Sequence, residues 1–348
     1  MGYFESIKEK TIKKDAIILA IESSCDETAA AVVKGGRELL SSSIISSMKE
    51  HIPFGGVVPE IASRAHTTAI SMAVDKALKE ANVSLSQLDA IAVTYGAGLL
   101  GALLVGVSYA KALAFSLNIP LVPVSHVRGH LSASYIVDKD LKPPFISILA
   151  SGGHTAIILV EDYYTYKILG QTLDDAVGEA FDKVARVLGL EYPGGPNIER
   201  LARGGNPSIT FPEMLKGKHT FDFSYSGLKT AVINYVHTKK MKGEEFSSED
   251  VACSFQKSAI DVIVKNAIAC AKQSGVKTIT VGGGVGANGY LRETLNSACQ
   301  ENSLKCVIPP KVLCTDNAGM IGAEGYLQYL KENFSNLDLN AKASVSLK

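Results

Sequence analysis

An α/β fold in two related domains is predicted by two patterns that each occur twice along the chain. The first pattern is a strand, a polar turn and a returning strand, present at 17–33 and again at 144–160. The second is a strand that passes through a glycine-rich turn into a helix, starting at Ile91 and again at Thr278. Units repeated in the same order and of the same type indicate that one domain was duplicated.

The first half of the chain contains the first copy of both patterns. Its apolar strands are short and end at polar or glycine-rich turns, and its helices show apolar residues at helical spacing. The predicted elements are, in order, strand Ile17–Glu22, polar turn 23–28, strand Ala29–Val33, a helix at about 59–82, strand Ile91–Thr94, turn Gly96-Ala97-Gly98, a helix from Leu99 and strand Leu121–Val124.

The second half repeats this order and adds an insertion. The predicted elements are strand Pro144–Ala150, turn 151–155, strand Ala156–Val160, helices at about 172–188 and 250–273, strand Thr278–Val281, turn Gly282-Gly283-Gly284 with a helix after it, and strand Lys305–Ile308. Two related α/β domains that hold a nucleotide between them are typical of the actin-like ATPase (ASKHA) fold.

The predicted domain bounds follow from these elements. They are a polar N-terminal extension at 1–15, a first actin-like domain at 16–134, a second at 135–330 with an insertion at about 189–248, and a polar tail at 331–348.

Composition narrows the class of protein. The chain has 348 residues, of which 46% are hydrophobic and 20% charged, and its 35 basic residues balance 35 acidic ones. A neutral protein does not attract nucleic acid as a whole, so such a surface has to be local. The six cysteines form no C-x-x-C pair and accompany no secretory signal, which favours a cytoplasmic protein. Residues 90–110 lack charge, but their glycines break the stretch into strand, turn and helix, so no membrane span is expected.

A metal site is predicted from 126–130 (HVRGH). Two histidines four positions apart on a helix face the same way, so His126 and His130 can share one ion. Asp316, in the polar stretch 314–318, would complete a set of two histidines and one carboxylate. Such a set leaves coordination positions open for a substrate.

Two other classes of enzyme are disfavoured by missing residues. Zinc proteases of the H-E-x-x-H type need a glutamate where this chain has Val127, which cannot move a proton. Two G-x-G-x-x-G matches, starting at Gly96 and Gly284, suggest a dinucleotide fold, but no acidic residue ends the following strands. We interpret the second match as close approach of backbone to a different nucleotide, and the first largely as helix packing.

Two charged regions remain open to more than one interpretation. Asp175, Glu179 and Asp182 are spaced to share one helix face, which is either solvated or borders a nucleotide, with Asp182 then binding the ribose. Between Lys183 and Lys242, ten basic residues stand against four acidic ones, with six aromatic residues among them. This insertion is either a solvated basic face or an RNA contact.

Several strings, taken together, resemble one family, the TsaD/Kae1 family, over residues 16–328. They are 21–28 (IESSCDET), 55–60 (GGVVPE) with Ser63, Arg64 and His66, His126 with His130, 151–155 (SGGHT), 178–183 (GEAFDK), 192–196 (YPGGP), 223–229 (FSYSGLK), 282–288 (GGGVGAN) and 314–317 (CTDN). The uninterrupted layout, without a fused kinase, resembles the bacterial type, TsaD.

The resemblance implies a reaction and its participants. The threonylcarbamoyl group of threonylcarbamoyl-AMP is transferred to N6 of the adenosine just 3′ of the anticodon, in tRNAs reading ANN codons, and AMP is released. The expected metal is one divalent ion, Fe²⁺ or Zn²⁺. The expected partners are tRNA, a TsaB-like paralogue, a TsaE-like ATPase and a separate synthase that supplies threonylcarbamoyl-AMP.

The resemblance also assigns site residues. The family's metal ligands fall on His126, His130 and Asp316. The residues that its pattern places at the nucleotide or the intermediate are Leu149, Ala150, Ser151, Gly152, Gly153, Asp182, Gly195, Glu199 and Asn288. We add the hypothesis that Asp26 or Glu27 accepts the N6 proton. An actin-like ATP-binding scaffold without transfer activity is the alternative, and it would not need the metal ligands.

One departure from the family pattern lies within the metal motif. The usual family pattern is Asn-His-x-Glu-Gly/Ala-His, whereas this chain has Ser125 and Arg128. A positive charge where an acidic group is usual predicts altered affinity for the metal or altered metal choice.

Overall fold

The computed structural model describes residues 2–215 and 220–346. The chain forms two compact units, one of Met1–Leu141 with Asp316–Lys348 and one of Lys142–Thr315. The strands in chain order are β1 (Ile17–Glu22), β2 (Glu27–Lys34), β3 (Glu38–Ser46), β4 (Ala90–Gly96), β5 (Leu121–Ser125), β6 (Phe145–Ala150), β7 (Thr155–Val160), β8 (Tyr166–Gln171), β9 (Thr278–Gly282) and β10 (Lys305–Val307).

The helices pack on the sheets formed by these strands. In chain order they are α1 (Tyr3–Lys8), α2 (Met48–His51), α3 (Pro59–Ala81), α4 (Leu100–Leu117), α5 (His126–Val137), α6 (Val177–Val187), α7 (Gly194–Ala202), α8 (Tyr225–Lys242), α9 (Ser248–Ser274), α10 (Gly289–Glu301), α11 (Lys311–Cys314) and α12 (Ala318–Leu330). Short 3-10 turns at Ile52–Phe54, Leu85–Gln87 and Gly284–Ala287 complete the set in the described residues.

The two sheets have the same topology, which confirms the predicted duplication and the actin-like fold class. In the first unit the strand order is β3-β2-β1-β4-β5, and in the second it is β8-β7-β6-β9-β10. In each sheet the first three strands are antiparallel hairpin partners, and the last two run parallel to the first strand of the unit. A dinucleotide-binding fold would instead have a mostly parallel sheet.

Alternation along β1 gives the first sheet two buried faces. Leu19 and Ile21 point to the side covered by α3 and α4. Ile18 and Ala20, one position out of phase, point to the side covered by α5 and α12. Helix α5 carries His126 and His130, and α12 follows Asp316. Both helices therefore lie on the same face of this sheet.

Glycines let α12 approach this face closely. A Cβ on Gly322 would lie 2.9 Å from Cβ of Val33 on β2 and 3.3 Å from Cβ of Ala20 on β1. The helix starts at Ala318 because the side chain of Asn317 accepts a hydrogen bond from the backbone N–H of Met320, at 3.0 Å. Asp316 thus immediately precedes a capped and buried helix.

The second unit buries one large apolar cluster between its sheet and its helices. Ile146 and Ile148 of β6 pack there with residues of α6, α7, α8, α9 and α10. Asp174 fixes the start of α8, since its carboxylate accepts hydrogen bonds from the hydroxyls of Ser224 and Ser226, each at 2.6 Å.

The observed units differ from the predicted domain bounds in one large segment. The prediction assigned 135–330 to the second domain, but residues from Asp316 onward, including α12, belong to the first unit. The reason is physical: the buried face of α12 matches the small residues of the first sheet. Sequence order alone does not reveal such a return of the chain.

Both terminal segments, predicted only to be polar, contain residues that pack against the first unit. The extension 1–15 contains α1, whose Ile7 is fully buried and whose Tyr3 hydroxyl donates to the carbonyl of Ile119 at 2.8 Å. The tail 331–348 contacts two strands in its described part. Ser335 N–H donates to the carbonyl of Leu121 on the edge strand β5 at 2.8 Å, and Lys342 N–H donates to the carbonyl of Tyr95 near the end of β4 at 2.7 Å.

The uncharged stretch 90–110 folds as predicted, with β4, a turn and then α4. Helix α4 is long and apolar enough to cross a membrane by length and composition, and a third of it is buried within the protein. A helix that covers a sheet meets the same criteria.

Candidate active site

Three predicted metal ligands converge in the first unit. His126 and His130 lie one turn apart at the start of α5, and their Nε2 atoms are 3.1 Å apart. Oδ1 of Asp316 lies 3.6 Å from Nε2 of His126 and 3.4 Å from Nε2 of His130. Both histidines are buried, and Asp316 is partly exposed.

These separations fit a bound metal ion. An ion about 2.0–2.2 Å from each nitrogen and oxygen, with angles between tetrahedral and octahedral, needs donor atoms roughly 3.0–3.4 Å apart. The three distances lie in or next to this range, so the cluster can hold a metal without large rearrangement. Two imidazoles and one carboxylate suit a transition metal and leave other positions open.

Glu22 orients one of the ligands, and sequence analysis did not single out this role. Its carboxylate, at the end of β1, is fully buried and lies 3.2 Å from Nδ1 of His126. It also accepts hydrogen bonds from the backbone N–H of Ser24 and the hydroxyl of Thr94, each at 2.6 Å. A carboxylate only accepts, so the proton of His126 is placed on Nδ1 and Nε2 is left for a metal. The available signal was an acidic residue closing an otherwise apolar strand.

The pKa values of the two histidines are shifted in opposite directions. Burial lowers the pKa of His126, but the charges of Asp316 and Glu22 outweigh it and raise the pKa to about 9. Burial lowers the pKa of His130, whose Nδ1 has no hydrogen-bond partner in the part of the chain that the structure describes. His130 is therefore ready to donate its lone pair, whereas an ion must displace a proton from His126.

Asp26 lies in the turn between β1 and β2, and Glu27 is the first residue of β2. The hydroxyl of Ser46 donates to Oε1 of Glu27 at 2.9 Å, while Oε2 is buried with no partner among the described residues. Burial, then the charge of Asp26, raises the pKa of Glu27 to about 7. The backbone carbonyl of Asp26 accepts from both the N–H and the hydroxyl of Ser47. Glu27 therefore has a side-chain oxygen without a partner among the described residues and a pKa suited to proton transfer near neutral pH.

The predicted nucleotide residues all lie in the second unit. Leu149 and Ala150 end β6 and are buried. Ser151 closes the next turn by accepting from the N–H of His154 at 3.0 Å. Gly152 and Gly153 face open space where a Cβ would stand, so their backbone is accessible to a ligand.

The remaining nucleotide candidates form a chain of contacts next to this turn. Oδ1 of Asp182 on α6 accepts from Gly194 N–H at 2.7 Å, and burial raises the Asp182 pKa. On α7, Gly195 faces open space, and Oε1 of Glu199 would lie 3.0 Å from a Cβ on Gly289. Asn288 uses its whole side chain within the unit, accepting from Leu291 N–H and donating to Gln256.

The start of each of three helices is in contact with a neighbouring element. Gly178, in the first turn of α6, abuts the 151–153 turn, since its Cβ would be 2.7 Å from the Ser151 carbonyl oxygen. Asp182 links α6 to the start of α7, and Glu199 links α7 to the start of α10. Helix N-termini present unpaired N–H groups and a positive dipole end, which suit a phosphate.

Two sequence interpretations of this region are corrected. Asp175 does not share the helix face of Glu179 and Asp182, because α6 begins only at Val177; Asp175 instead pairs with Lys183 and Lys229. Of the six aromatic residues counted in the basic region, Phe223 and Tyr225 are fully buried and do not offer rings to a base.

A basic cleft remains on the surface of this region. It has a volume of about 430 Å³ and lies between the 209–212 segment and α8. Its lining includes Tyr235, Lys239, Lys242 and Glu244, and Lys239 pairs with Glu244 at 2.7 Å. Lys240 is exposed beside them on α8. Lys216 and Lys218, which contribute to the predicted basic character, lie outside the described residues.

The duplicated sheet and the His-His-Asp cluster define an actin-like protein with a candidate metal site in its first unit. Residues 38–323 match the family model described as TsaD, tRNA N6-adenosine threonylcarbamoyltransferase. A relative in Clostridium botulinum (strain Kyoto / Type A2), with the name tRNA N6-adenosine threonylcarbamoyltransferase, is 53% identical over 337 residues, covering 97% of this chain and 99% of the relative. The chain therefore belongs to the TsaD family.

Solved structures support the fold. Full-length HypF, in a phosphate- and nucleotide-bound form, superposes with a TM-score of 0.62 at 17% identity, covering 97% of this chain and 57% of HypF. Component A of the (R)-2-hydroxyglutaryl-CoA dehydratase of Acidaminococcus fermentans gives a TM-score of 0.50 at 14% identity, covering 90% and 99% of the two chains.

Proposed function

We propose that this chain transfers the threonylcarbamoyl group from threonylcarbamoyl-AMP to N6 of the adenosine just 3′ of the anticodon, in tRNAs reading ANN codons. The single observation that carries the proposal is the convergence of His126, His130 and Asp316 in a chain of the TsaD family. A nucleotide-binding scaffold has no use for three ligands at metal-binding distances.

The reaction is an acyl transfer. Adenosine N6 attacks the carbamoyl carbonyl carbon, a C–N bond forms, and the C–O bond to the phosphate breaks. AMP leaves with the electron pair, and the N6 proton passes to a base. The mixed anhydride is already activated, so positioning of the two reactants supplies much of the rate.

The second unit would hold the AMP half. The starts of α6, α7 and α10 and the accessible backbone of Gly152 and Gly153 suit the phosphate. Asp182 is the candidate for the ribose hydroxyls, although one of its oxygens already accepts from Gly194. The side chain of Asn288 is bonded to Gln256 and Leu291, and its backbone N–H is bonded to the Val285 carbonyl, so Asn288 would act by holding the start of α10 in place.

The first unit would act on the acyl half. A divalent ion, Fe²⁺ or Zn²⁺, bound by His126, His130 and Asp316 would supply Lewis-acid polarisation of the carbonyl. Glu22 holds His126 in the tautomer that leaves Nε2 available. Glu27 is the proposed base, since its Oε2 is unpartnered among the described residues and its pKa is about 7.

The family implies partners that we include in the proposal: tRNA, a TsaB-like paralogue, a TsaE-like ATPase and a separate synthase for threonylcarbamoyl-AMP. We place the reaction in the cytoplasm, where tRNA is found, with no membrane involved. The basic cleft beside α8 is the proposed tRNA contact, because phosphates bind lysines and Tyr235 offers an aromatic surface.

The test is a reconstitution with purified components. The chain and its two protein partners are incubated with threonylcarbamoyl-AMP and tRNA, and the tRNA is digested to nucleosides. We expect N6-threonylcarbamoyladenosine and AMP in equal amounts, with loss of both after a chelator or in Asp316→Asn. Lys76→Ala, at an exposed position of α3, is the control for His126→Ala.

Two results would decide against the proposal. Full transfer by His126→Ala and Asp316→Asn would remove the role of the cluster. Nucleotide hydrolysis without any modified adenosine, in wild type with all partners present, would favour the scaffold instead.

A further inference from the structure

The connection between β1 and β2 is held through its backbone carbonyl groups. Three consecutive carbonyls accept hydrogen bonds from three parts of the first unit: that of Ser24 from the N–H of Leu99 at 2.8 Å, that of Cys25 from Nε2 of His66 at 2.9 Å, and that of Asp26 from the N–H of Ser47 at 3.0 Å. His66 differs from the other two donors because it uses its side chain, which reaches the connection from helix α3. A histidine on a helix therefore helps to fix the backbone that leads into Glu27.

His66 also binds this part of the chain at a second point. Its Nδ1 atom lies 2.7 Å from the hydroxyl oxygen of Thr28, the second residue of β2. A carbonyl oxygen only accepts, so the bond to Cys25 places the proton of His66 on Nε2, and Nδ1 accepts from the Thr28 hydroxyl. His66 is fully buried, and burial lowers its pKa, so the neutral ring with one donor and one acceptor is the form present near neutral pH. The two bonded residues, Cys25 and Thr28, lie on either side of Asp26 and Glu27 along the chain.

Thr28 and Glu27 point to opposite faces of the first sheet. Along β2, Val32 packs on the side covered by α3 and α4, and Thr28 is in phase with it. Ala31 packs on the side covered by α5 and α12, and Glu27 is in phase with that residue. His66 therefore holds the backbone from one face, while the side chain of Glu27 points to the face on which α5 and α12 lie.

We propose that His66 is a positioning residue for Glu27. By bonding to Cys25 and to Thr28 it fixes the backbone on both sides of Glu27 from the α3 face, so that the carboxylate keeps its place on the face of the metal ligands. His66 acts through the backbone and takes no proton from the substrate. The proposal rests on the proposed function in taking Glu27 as the base that accepts the N6 proton.

The first test is a double-mutant cycle in the reconstituted transfer reaction, with both protein partners, threonylcarbamoyl-AMP and tRNA. His66→Ala should lower kcat about 10–100-fold and change KM for tRNA less than about threefold, because a displaced base slows the chemical step and not binding. In the Glu27→Gln background the same change should lower kcat less than about threefold, since the base that it would displace is gone. Equal losses in the two backgrounds would show that His66 does not act through Glu27 and would overturn the proposal.

Conservative variants separate the hydrogen bonds of His66 from its packing. His66→Gln places an amide N–H near the position of Nε2, and it should lose less in kcat than His66→Ala because the bond to Cys25 can form again. Thr28→Val removes the hydroxyl at nearly constant volume, whereas Thr28→Ser keeps the hydroxyl and removes a methyl group. We expect the larger loss in Thr28→Val, and this pair decides the question if His66→Ala does not fold. A larger loss in Thr28→Ser would mean that packing matters and the hydrogen bond does not.

A further measurement needs neither tRNA nor partners. Titration of the Glu27 carboxyl, followed by ¹³C NMR and assigned with Glu27→Gln, should have its midpoint near pH 7 in the wild-type chain. In His66→Ala or Thr28→Val the midpoint should fall towards 4.5, because a loosened connection lets water reach the carboxyl. An unchanged midpoint would contradict the positioning role. A wild-type chain that shows this titration and its shift in the variants, but transfers no threonylcarbamoyl group, would count against the proposed function and not against the contact of His66 with this connection.

Discussion

The Nδ1 atom of His126 lies 3.2 Å from Oε2 of Glu22, a carboxylate that is fully buried at the end of β1. Every group around this carboxylate is a donor: the N–H of Ser24, the hydroxyl of Thr94 and the imidazole itself. This contact places the proton of His126 on Nδ1, so that Nε2 of this buried histidine can bind a metal ion.

Glu22→Gln should therefore lower the metal affinity about 10–100-fold. A glutamine has the same size but must turn its NH₂ towards one of three donors, which either breaks a hydrogen bond or moves the proton of His126 to Nε2. Zn²⁺ titration of the metal-free chain measures the change, and Glu38→Gln, at the exposed start of β3, is the control. Unchanged affinity in Glu22→Gln would show that the tautomer is not set by Glu22.

The proposed base predicts a pH profile. Glu27 must lose its proton to act, so kcat/KM of the wild type should rise with pH and level off above about 7. Asp26→Asn should shift the rise to lower pH, because the charge of Asp26 contributes to the raised pKa of Glu27. If Asp26 were the base instead, Asp26→Asn would abolish transfer at every pH.

The same raised pKa predicts a stability effect of known sign. A carboxyl whose folded pKa is raised holds its proton in the folded state at pH values where the unfolded chain has lost it. Its contribution to stability is full below the unfolded value of 4.5 and is lost as pH rises through about 7. The Tm of Glu27→Gln relative to wild type should accordingly be higher at pH 8 than at pH 4.5. A Tm difference that does not vary with pH would contradict the assigned pKa.

Packing of α12 predicts opposite effects for two glycines. Gly322→Ala puts a Cβ 2.9 Å from Cβ of Val33, a stiff β-branched residue, and should cost about 1–3 kcal/mol of the free energy of unfolding. Gly227→Ala on α8 adds a methyl group in open space on a helix and should stabilise by about 0.5–1 kcal/mol. Chemical denaturation measures both. If Gly322→Ala and Gly227→Ala lowered the free energy of unfolding equally, the close contact of Gly322 with the sheet would not be the reason that α12 needs a glycine there.

The predicted duplication and metal site follow from signals that are local in sequence. Short apolar strands bounded by turns, and two histidines one helical turn apart, are visible within windows of a few residues. The third antiparallel strand of the first unit was not predicted, because β3 is rich in serine and lacks clear alternation. Helix α8 was not predicted either, although its buried residues Tyr225, Leu228, Val232 and Val236 recur at helical spacing, because further apolar residues such as Ile233 lie off this face and weaken the pattern.

Other features depend on contacts between distant segments. That α12 belongs to the first unit follows from the fit of Gly322 and Gly325 against the alanines of the first sheet, 200 or more residues earlier in the chain. The role of Glu22 likewise depends on a partner over 70 residues away. An acidic residue in an apolar run shows that a partner is needed, but its identity requires the fold.

The basic cleft predicts how tRNA affinity depends on salt. Lys240 and Lys242 are exposed at the end of α8, and phosphates that they neutralise release counterions on binding. Lys240→Gln with Lys242→Gln should weaken tRNA binding and reduce the slope of log affinity against log salt by about one for each phosphate that is no longer neutralised. Filter binding at several salt concentrations measures the slope.

The matched control is Lys76→Gln with Lys79→Gln, two exposed lysines of α3 that pair with Glu80 and Asp75. Equal slopes for the two double variants would place the tRNA contact elsewhere. A lower slope in the α8 variant alone, with Zn²⁺ affinity unchanged, would assign the cleft to the tRNA backbone.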